Sequence, residues 1–145
     1  MTARIALGSK VYPRLINAFD GQIAPMSSAQ PLNIPTSILT DIRNGMISAV
    51  NDTGGTAFKS RIFDPKFFMA GKTGTAQVRR ISALEREQGV TKNEDLPWEK
   101  RDHALFTGYA PIDKPKYAVS VIVEHGGTGS KAAAPIAKKV IKKVL

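Results

Sequence analysis

The residues best suited to chemistry lie in one run, Lys72-Thr73-Gly74-Thr75. A lysine supplies positive potential, the two hydroxyls supply directional hydrogen bonds, and the glycine lets a substrate approach the backbone, so the run can bind a carboxylate. In an extended strand, Thr73 and Thr75 share one face and Lys72 lies on the other, so the amine must reach the site along its flexible stem or through strand twist. The alternative interpretation is a strand of small residues packed under a helix.

Three segments rich in aromatic, β-branched and small residues are predicted to be strands: Phe67 to Val78, which carries the run, Ala104 to Pro111, and Tyr117 to His125. A polar turn with two prolines separates the second from the third and predicts an antiparallel hairpin. Because neither face of the third strand is strongly polar, we expect it inside a sheet that helices cover on both faces. A motif strand at the sheet edge would also offer free N–H groups to an extended peptide.

Apolar residues at helical spacing predict one helix from about Thr36 to Asn51 and another from Ala132 to Leu145. The predicted apolar face of the first consists of Ile38, Leu39, Ile42, Met46, Ile47 and Val50, and that of the second consists of Ala133, Ile136, Ala137, Val140, Ile141 and Val144. The second places Lys138, Lys139, Lys142 and Lys143 opposite its apolar face. Such a face could contact a membrane or nucleic acid, but lysines near a helix C-terminus also complement its dipole on a solvated surface, and we favour that interpretation. The predicted fold class is α/β of the α+β type, with an antiparallel sheet of at least three strands and packed helices.

A charge-rich stretch of about 25 residues, Arg79 to His103, is longer than a hairpin connection needs, and loops of this length are often functional. Within it, Leu84 to Gln88 is predicted to form a helical turn, and Trp98 is expected to pin the loop to the body of the protein. Arg101-Asp102-His103 could supply a catalytic acid or base. We favour a solvated loop end there.

Composition excludes several functions. The 145 residues are enough for one domain or part of one, and the absence of cysteine excludes disulfides and thiolate chemistry. With only His103 and His125, a histidine metal site would need added carboxylates, and we expect neither a metal nor a cofactor. No apolar run is long enough to span a membrane.

Two glycine-containing segments resemble anion sites. Gly71-Lys72-Thr73 resembles the end of a phosphate-binding loop, but Lys66 stands where the first glycine of that loop belongs, which excludes nucleotide binding. The run from Gly126 to Ser130 could hold an anion ahead of the last helix, although a flexible strand-to-helix turn is the favoured interpretation.

Five further segments follow one another in a fixed order along the chain: Ala70 to Gln77, Arg101 to Ala104, Gly108 to Pro111, Glu124 to Gly127 and Ala133 to Ile136. Together they resemble the C-terminal part of class B penicillin-binding proteins of the elongation-specific type. The resemblance implies a D,D-transpeptidase that cross-links peptidoglycan through an acyl-serine intermediate and is acylated by β-lactams, without a cofactor.

The resemblance also implies roles for the motif residues. Lys72 would act in the catalytic network through its charge and hydrogen bonds. Thr73 and Thr75 would hold the terminal carboxylate of D-Ala or of a β-lactam, and the Thr75 N–H would form half of the oxyanion hole. Gly74, Ala76 and Gln77 would complete the strand that binds a peptidoglycan stem peptide.

The chain departs from the family in lacking its S-x-x-K and S-x-N motifs; Thr56 to Lys59 and Thr128 to Lys131 copy the first spacing with threonine in place of serine. We therefore expect residues 1–145 to be the last part of a single transpeptidase domain, inactive alone. The catalytic serine, general base and membrane anchor would then lie upstream. The resemblance places the parent enzyme in the bacterial inner membrane with this domain in the periplasm, and the segment itself is expected to be soluble.

Two further expectations concern partners. The last strand has an open edge that only Val11 to Ile16 could cover from within, and Pro13 weakens that segment as a strand, so a homodimer through the edge is expected. From a different functional class, the net charge of +9 supports a basic module that binds nucleic acid or an acidic partner.

Overall fold

The computed structural model describes residues 1–24 and 29–145. It contains four α-helices and five strands within those residues: α1 (Thr2–Leu7), β1 (Ala18–Phe19), β2 (Gln22–Ile23), α2 (Thr36–Asn51), β3 (Ala70–Ala76), α3 (Ala83–Gln88), β4 (His103–Ala110), β5 (Tyr117–Val123) and α4 (Ala133–Val144). Four short 3-10 turns lie between α2 and β4. The predicted class, an antiparallel sheet of three strands with packed helices, is confirmed.

The main sheet has the order β3-β4-β5 and is antiparallel throughout. The expectation that the last predicted strand is interior is wrong for the part of the chain that the structure describes. There, β4 is the central strand, β5 is an edge strand, and 67% of Ile122 on β5 is exposed. The sequence of β5 indicates how polar its two faces are, but it does not indicate whether a further strand pairs with its edge.

Helix α4 packs against one face of β4 and β5 through a narrow face of mostly small residues, Ala133, Ala134, Ala137 and Ile141. The predicted apolar face was wider, because Ile136, Val140 and Val144 were included and each of these is more than 40% exposed. Alanines allow the helix to approach the sheet closely. The larger residues are consequently left at the flanks of the contact.

The opposite face of the sheet is covered at one end by α1 and α2, where Ala6 and Met46 pack with Tyr109 of β4. Burial raises the pKa of the Tyr109 phenol. Helix α2 begins and ends as predicted, but Ile38 and Ile42, assigned to its buried face, are 49% and 40% exposed.

The predicted strand Phe67 to Val78 is shorter at both ends. Pro65–Phe67 forms a 3-10 turn, because Asp64 accepts a hydrogen bond from the Lys66 N–H at 3.0 Å, and the strand starts only at Ala70. The segment Val11 to Ile16 forms no strand, and the nearby β1 and β2 pair only with each other. No helix among residues 1–24 and 29–145 is long and apolar enough to cross a membrane.

Candidate active-site strand

The Lys72 to Thr75 motif lies in the middle of β3, at the edge of the main sheet. Its partners on β4 run in register, from Lys72 opposite Thr107 to Thr75 opposite Ala104. No second strand pairs with β3 among the described residues. Alternate N–H and C=O groups of an antiparallel edge strand point away from its partner, so β3 presents a row of backbone groups that an extended peptide can use.

Lys72 lies on the opposite face from the two threonines, as the alternation predicted. Its side chain is exposed, and its amine bends back to donate a hydrogen bond to the backbone carbonyl of Thr73 at 2.8 Å. The ammonium is therefore held against the strand that carries both hydroxyls. Beside it, the Thr107 hydroxyl lies 2.6 Å from that of Thr2 and 2.9 Å from that of Ser120.

The hydroxyl of Thr73 is held by a residue that the sequence interpretation gave no role at this site. Thr56, in the turn after α2, places its Oγ1 2.8 Å from the Thr73 Oγ1. Thr75 is exposed, and its hydroxyl has no side-chain or backbone partner within the described residues. One hydroxyl of the motif is thus oriented by the protein, and the other is available to a ligand.

Gly129, from the loop before α4, packs directly against the motif strand. A Cβ at position 129 would lie 2.5 Å from the carbonyl oxygen of Gly74 and 3.0 Å from its amide nitrogen. Only glycine therefore fits between the loop and the strand. Gly126 to Ser130 lies in the predicted connection between strand and helix, and the close packing at Gly129 is an additional contact that the prediction did not include. The signal for it was the glycine itself, which marks close backbone approach as well as a turn.

The C-terminal end of β3 is tied to the charged loop through Asp102. Its carboxylate accepts hydrogen bonds from the Val78 N–H at 3.4 Å and from the Asn93 side chain at 3.0 Å. The Asp102 N–H in turn donates to the Asn93 side-chain oxygen at 2.8 Å. Asp102 is partly buried, and its hydrogen bonds hold the loop in place. It is therefore neither a free catalytic acid nor part of a solvated loop end, the two interpretations that the sequence allowed.

Two histidines and a tryptophan close the same end of the sheet. The Nδ1 atom of His103 accepts a hydrogen bond from the His125 N–H at 2.9 Å, and the His125 ring lies 4.4 Å from the Trp98 ring between centroids. The prediction that Trp98 pins the loop is confirmed by this contact.

Ala76 and Gln77 lie at the C-terminal end of the motif strand. Ala76 is the last residue of β3 and Gln77 follows it, and both are exposed.

Helix α3 in the charged loop is fixed by an ion pair. The two terminal nitrogens of the Arg79 guanidinium, Nη1 and Nη2, donate to the Glu85 carboxylate, the first at 2.7 Å. The Ser82 hydroxyl caps the helix by accepting the Glu85 N–H. The hydrogen bonds from Arg79 lower the pKa of the Glu85 carboxyl to about 2. No cluster of three or more side chains able to hold a metal ion occurs in residues 1–24 and 29–145.

Comparison with known proteins connects this geometry to a family. Residues 1–142 match the family described as the penicillin binding protein transpeptidase domain. The peptidoglycan D,D-transpeptidase MrdA of Haemophilus influenzae is 46% identical over 99 residues, which are 68% of this chain and 14% of that protein. The family match gives no support to a nucleic-acid-binding module.

Solved structures agree. Penicillin-binding protein 2 (PBP2) of Pseudomonas aeruginosa has a TM-score of 0.75 and 33% identity, covering 99% of this chain and 28% of that one. PBP2 of Helicobacter pylori in its complex with MreC has a TM-score of 0.73 and 30% identity, covering 99% of this chain and 23% of that one. The chain thus spans less than a third of the length of these relatives. By sequence and by fold, it belongs to the transpeptidase domain family of the penicillin-binding proteins.

Proposed function

We propose that this chain supplies the carboxylate-binding side of the active site of a peptidoglycan D,D-transpeptidase. The observation that carries the proposal is the edge strand β3, which combines the Lys72 ammonium, the free hydroxyl of Thr75 and unpaired backbone groups. A stem peptide or a β-lactam would lie along this edge as an added strand. Its terminal carboxylate would accept hydrogen bonds from Thr73 and Thr75 in the field of Lys72.

In this proposal the chain binds the substrate and polarises its scissile carbonyl, but it does not supply the nucleophile. The Thr75 N–H would donate to the oxyanion that develops on the scissile carbonyl, a contact worth about 3 kcal/mol when the donor is preorganised. The nucleophile and its base would come from an S-x-x-K motif, which this sequence lacks. Alone, the chain is expected to bind a carboxylate weakly and to transfer no acyl group.

The same proposal extends to location and partners. The parent enzyme would be anchored in the bacterial inner membrane, with this domain in the periplasm, where peptidoglycan is cross-linked. A stem peptide or a β-lactam is then the ligand of β3.

A chimera tests the proposal. This chain replaces the matching 28% of PBP2 from Pseudomonas aeruginosa, and acylation by a fluorescent penicillin is followed in time. We expect the chimera to be labelled at its serine. In it, Thr75→Val should slow acylation by roughly tenfold to a hundredfold, since one charge-assisted hydrogen bond is worth about 1.5–3 kcal/mol.

Thr40→Val is the matched control, because Thr40 lies on the exposed face of α2 and its hydroxyl bonds only to the Thr36 carbonyl of its own helix. A folded chimera whose acylation rate is unchanged by the Thr75→Val substitution would place the motif outside the carboxylate site.

A further inference from the structure

A second candidate site lies on the outer surface of α4, away from the free edge of β3. A cavity of about 730 Å³ separates α4 from the turn after α2. Five of its lining residues are lysines: Lys59, Lys131, Lys138, Lys139 and Lys142. A smaller cavity of about 330 Å³ shares Lys138 and Lys142 with the first and continues toward the C-terminus. We call the two together the lysine groove.

The charges of the lysine groove are largely uncompensated. Of its five lysines, only Lys131 makes an ion pair with a residue that the structure describes, a contact of 3.7 Å with Glu94 in which both side chains are mostly exposed. Among the described residues that line the two cavities, Asp64 has the only acidic side chain, and its carboxylate already accepts the Lys66 N–H. A concave wall with five cations and one acid concentrates positive potential. Such a surface favours a ligand that carries several negative charges.

One end of the lysine groove is apolar. The smaller cavity is lined by Ile62, Phe63, Phe67 and Leu145 besides its two lysines and Asp64. Phe63 is 72% exposed, and its ring is flanked by the Arg61 guanidinium at 4.5 Å and the Lys138 amine at 5.8 Å. An exposed aromatic ring beside cations can receive an apolar side chain that has acidic neighbours.

We propose that the lysine groove binds an acidic peptide segment of a partner protein, with carboxylates on the lysines and one apolar side chain against Phe63. From Pro135 to Leu145 the helix rises by roughly 15 Å, which matches about five residues of an extended peptide. A polyphosphate or a sugar acid would satisfy the lysines and leave the apolar end empty. A groove that has lysines at one end and apolar side chains at the other therefore favours an acidic peptide with an apolar residue over a polyphosphate or a sugar acid.

The proposed site is independent of the proposed transpeptidase function. It adjoins the motif strand through Thr56, which lines the larger cavity and contacts Thr73, and includes none of the residues from Lys72 to Thr75. Peptide binding can therefore be measured on the 145-residue chain without acylation.

The test is fluorescence anisotropy with a labelled synthetic peptide of about seven residues in which glutamates alternate with leucine and one phenylalanine. We expect saturable binding that weakens steeply with salt. Lys142→Glu should weaken it about tenfold, because one favourable exposed contact is lost and one repulsive contact is gained. Lys59→Glu, on the opposite wall of the groove, should weaken it similarly.

Lys143→Glu is the matched control, since Lys143 belongs to the same helical turn and lines neither cavity. Circular dichroism of each variant verifies the fold. A peptide with serine in place of leucine and phenylalanine should bind about fivefold more weakly if one apolar side chain is buried.

Three results would overturn the proposal. One is equal binding by the Lys142→Glu variant and the unchanged chain, and another is an equal loss in the Lys143→Glu variant. The third is equally tight binding of the serine peptide or of inorganic polyphosphate, which would show a general attraction for anions without a peptide site.

Discussion

Gly129→Ala tests whether the loop before α4 holds the motif strand. The added Cβ would lie 2.5 Å from the Gly74 carbonyl oxygen and closer still to the carbonyl oxygen of Leu105 on β4. Unstrained non-bonded heavy atoms stay about 3.5 Å apart, so the loop must retreat by about 1 Å or more. These neighbours are backbone atoms of a paired sheet, which cannot turn away as a flexible side chain can.

The magnitude follows from two opposing effects. Overpacking a buried contact costs about 1–3 kcal/mol, and the lower entropy of the unfolded alanine chain returns about 0.4–1 kcal/mol. We expect a net loss of about 1–2 kcal/mol in the free energy of unfolding. For a chain of this size the melting temperature should fall by roughly 3–6 °C.

Thermal and urea unfolding, monitored by circular dichroism, give the measurement. Gly45→Ala is the matched control, because Gly45 is an exposed residue inside α2, and beyond its own helix backbone and chain neighbours no atom of the described residues lies within 4 Å of an added Cβ. Alanine there should stabilise the protein by up to about 1 kcal/mol through helix propensity. If Gly129→Ala proves as stable as the unchanged chain, the close approach of the loop to β3 is refuted.

Three further outcomes are expected. Incubation of the 145-residue chain with a β-lactam should give no hydroxylamine-labile adduct by mass spectrometry, since no S-x-x-K serine is present; a stoichiometric adduct would contradict this. Sedimentation should show self-association at micromolar concentration through the open edge of β5. Ile122→Lys should weaken it without disturbing the core, since Ile122 is exposed whereas the neighbouring Val121 packs against the core. In an NMR titration the Glu85 carboxyl should protonate near pH 2, so the Arg79–Glu85 contact persists until the pH falls to about 2. The stability that this contact contributes is complete above about pH 4.5 and is lost as the pH falls from there through 2. Arg79→Gln should move that midpoint back toward 4.5.

The sequence predicted what depends on local patterns. Helix α2 and the helix at the C-terminus were found from their apolar spacing, and the β4–β5 hairpin from its proline turn. The two faces of β3 followed from alternation, with Lys72 opposite the threonines. These features depend on residues that are close together along the chain, so they can be predicted from a single sequence.

Contacts between distant segments could not be predicted in this way. The pairing of Thr56 with Thr73 depends on the path of the chain after α2, and the approach of Gly129 to Gly74 depends on how α4 lies on the sheet. The pattern of β5 indicated an interior strand because a strand's composition reflects its two faces, whereas strand order is set by the whole sheet. Its open edge was expected only because the chain offers few segments that could pair with it.

The arrangement around β3 explains how an edge strand can serve as a rigid binding element. Gly129 limits movement of the strand at Gly74, Thr56 holds the Thr73 hydroxyl, and Asp102 binds the Val78 N–H just beyond its end. Hydrogen-bond donors stabilise a developing negative charge best when they need not reorganise as it forms. Because each restraint comes from a different part of the chain, the folded chain itself orients the motif, and a stem peptide added along the free edge would meet donors already in place.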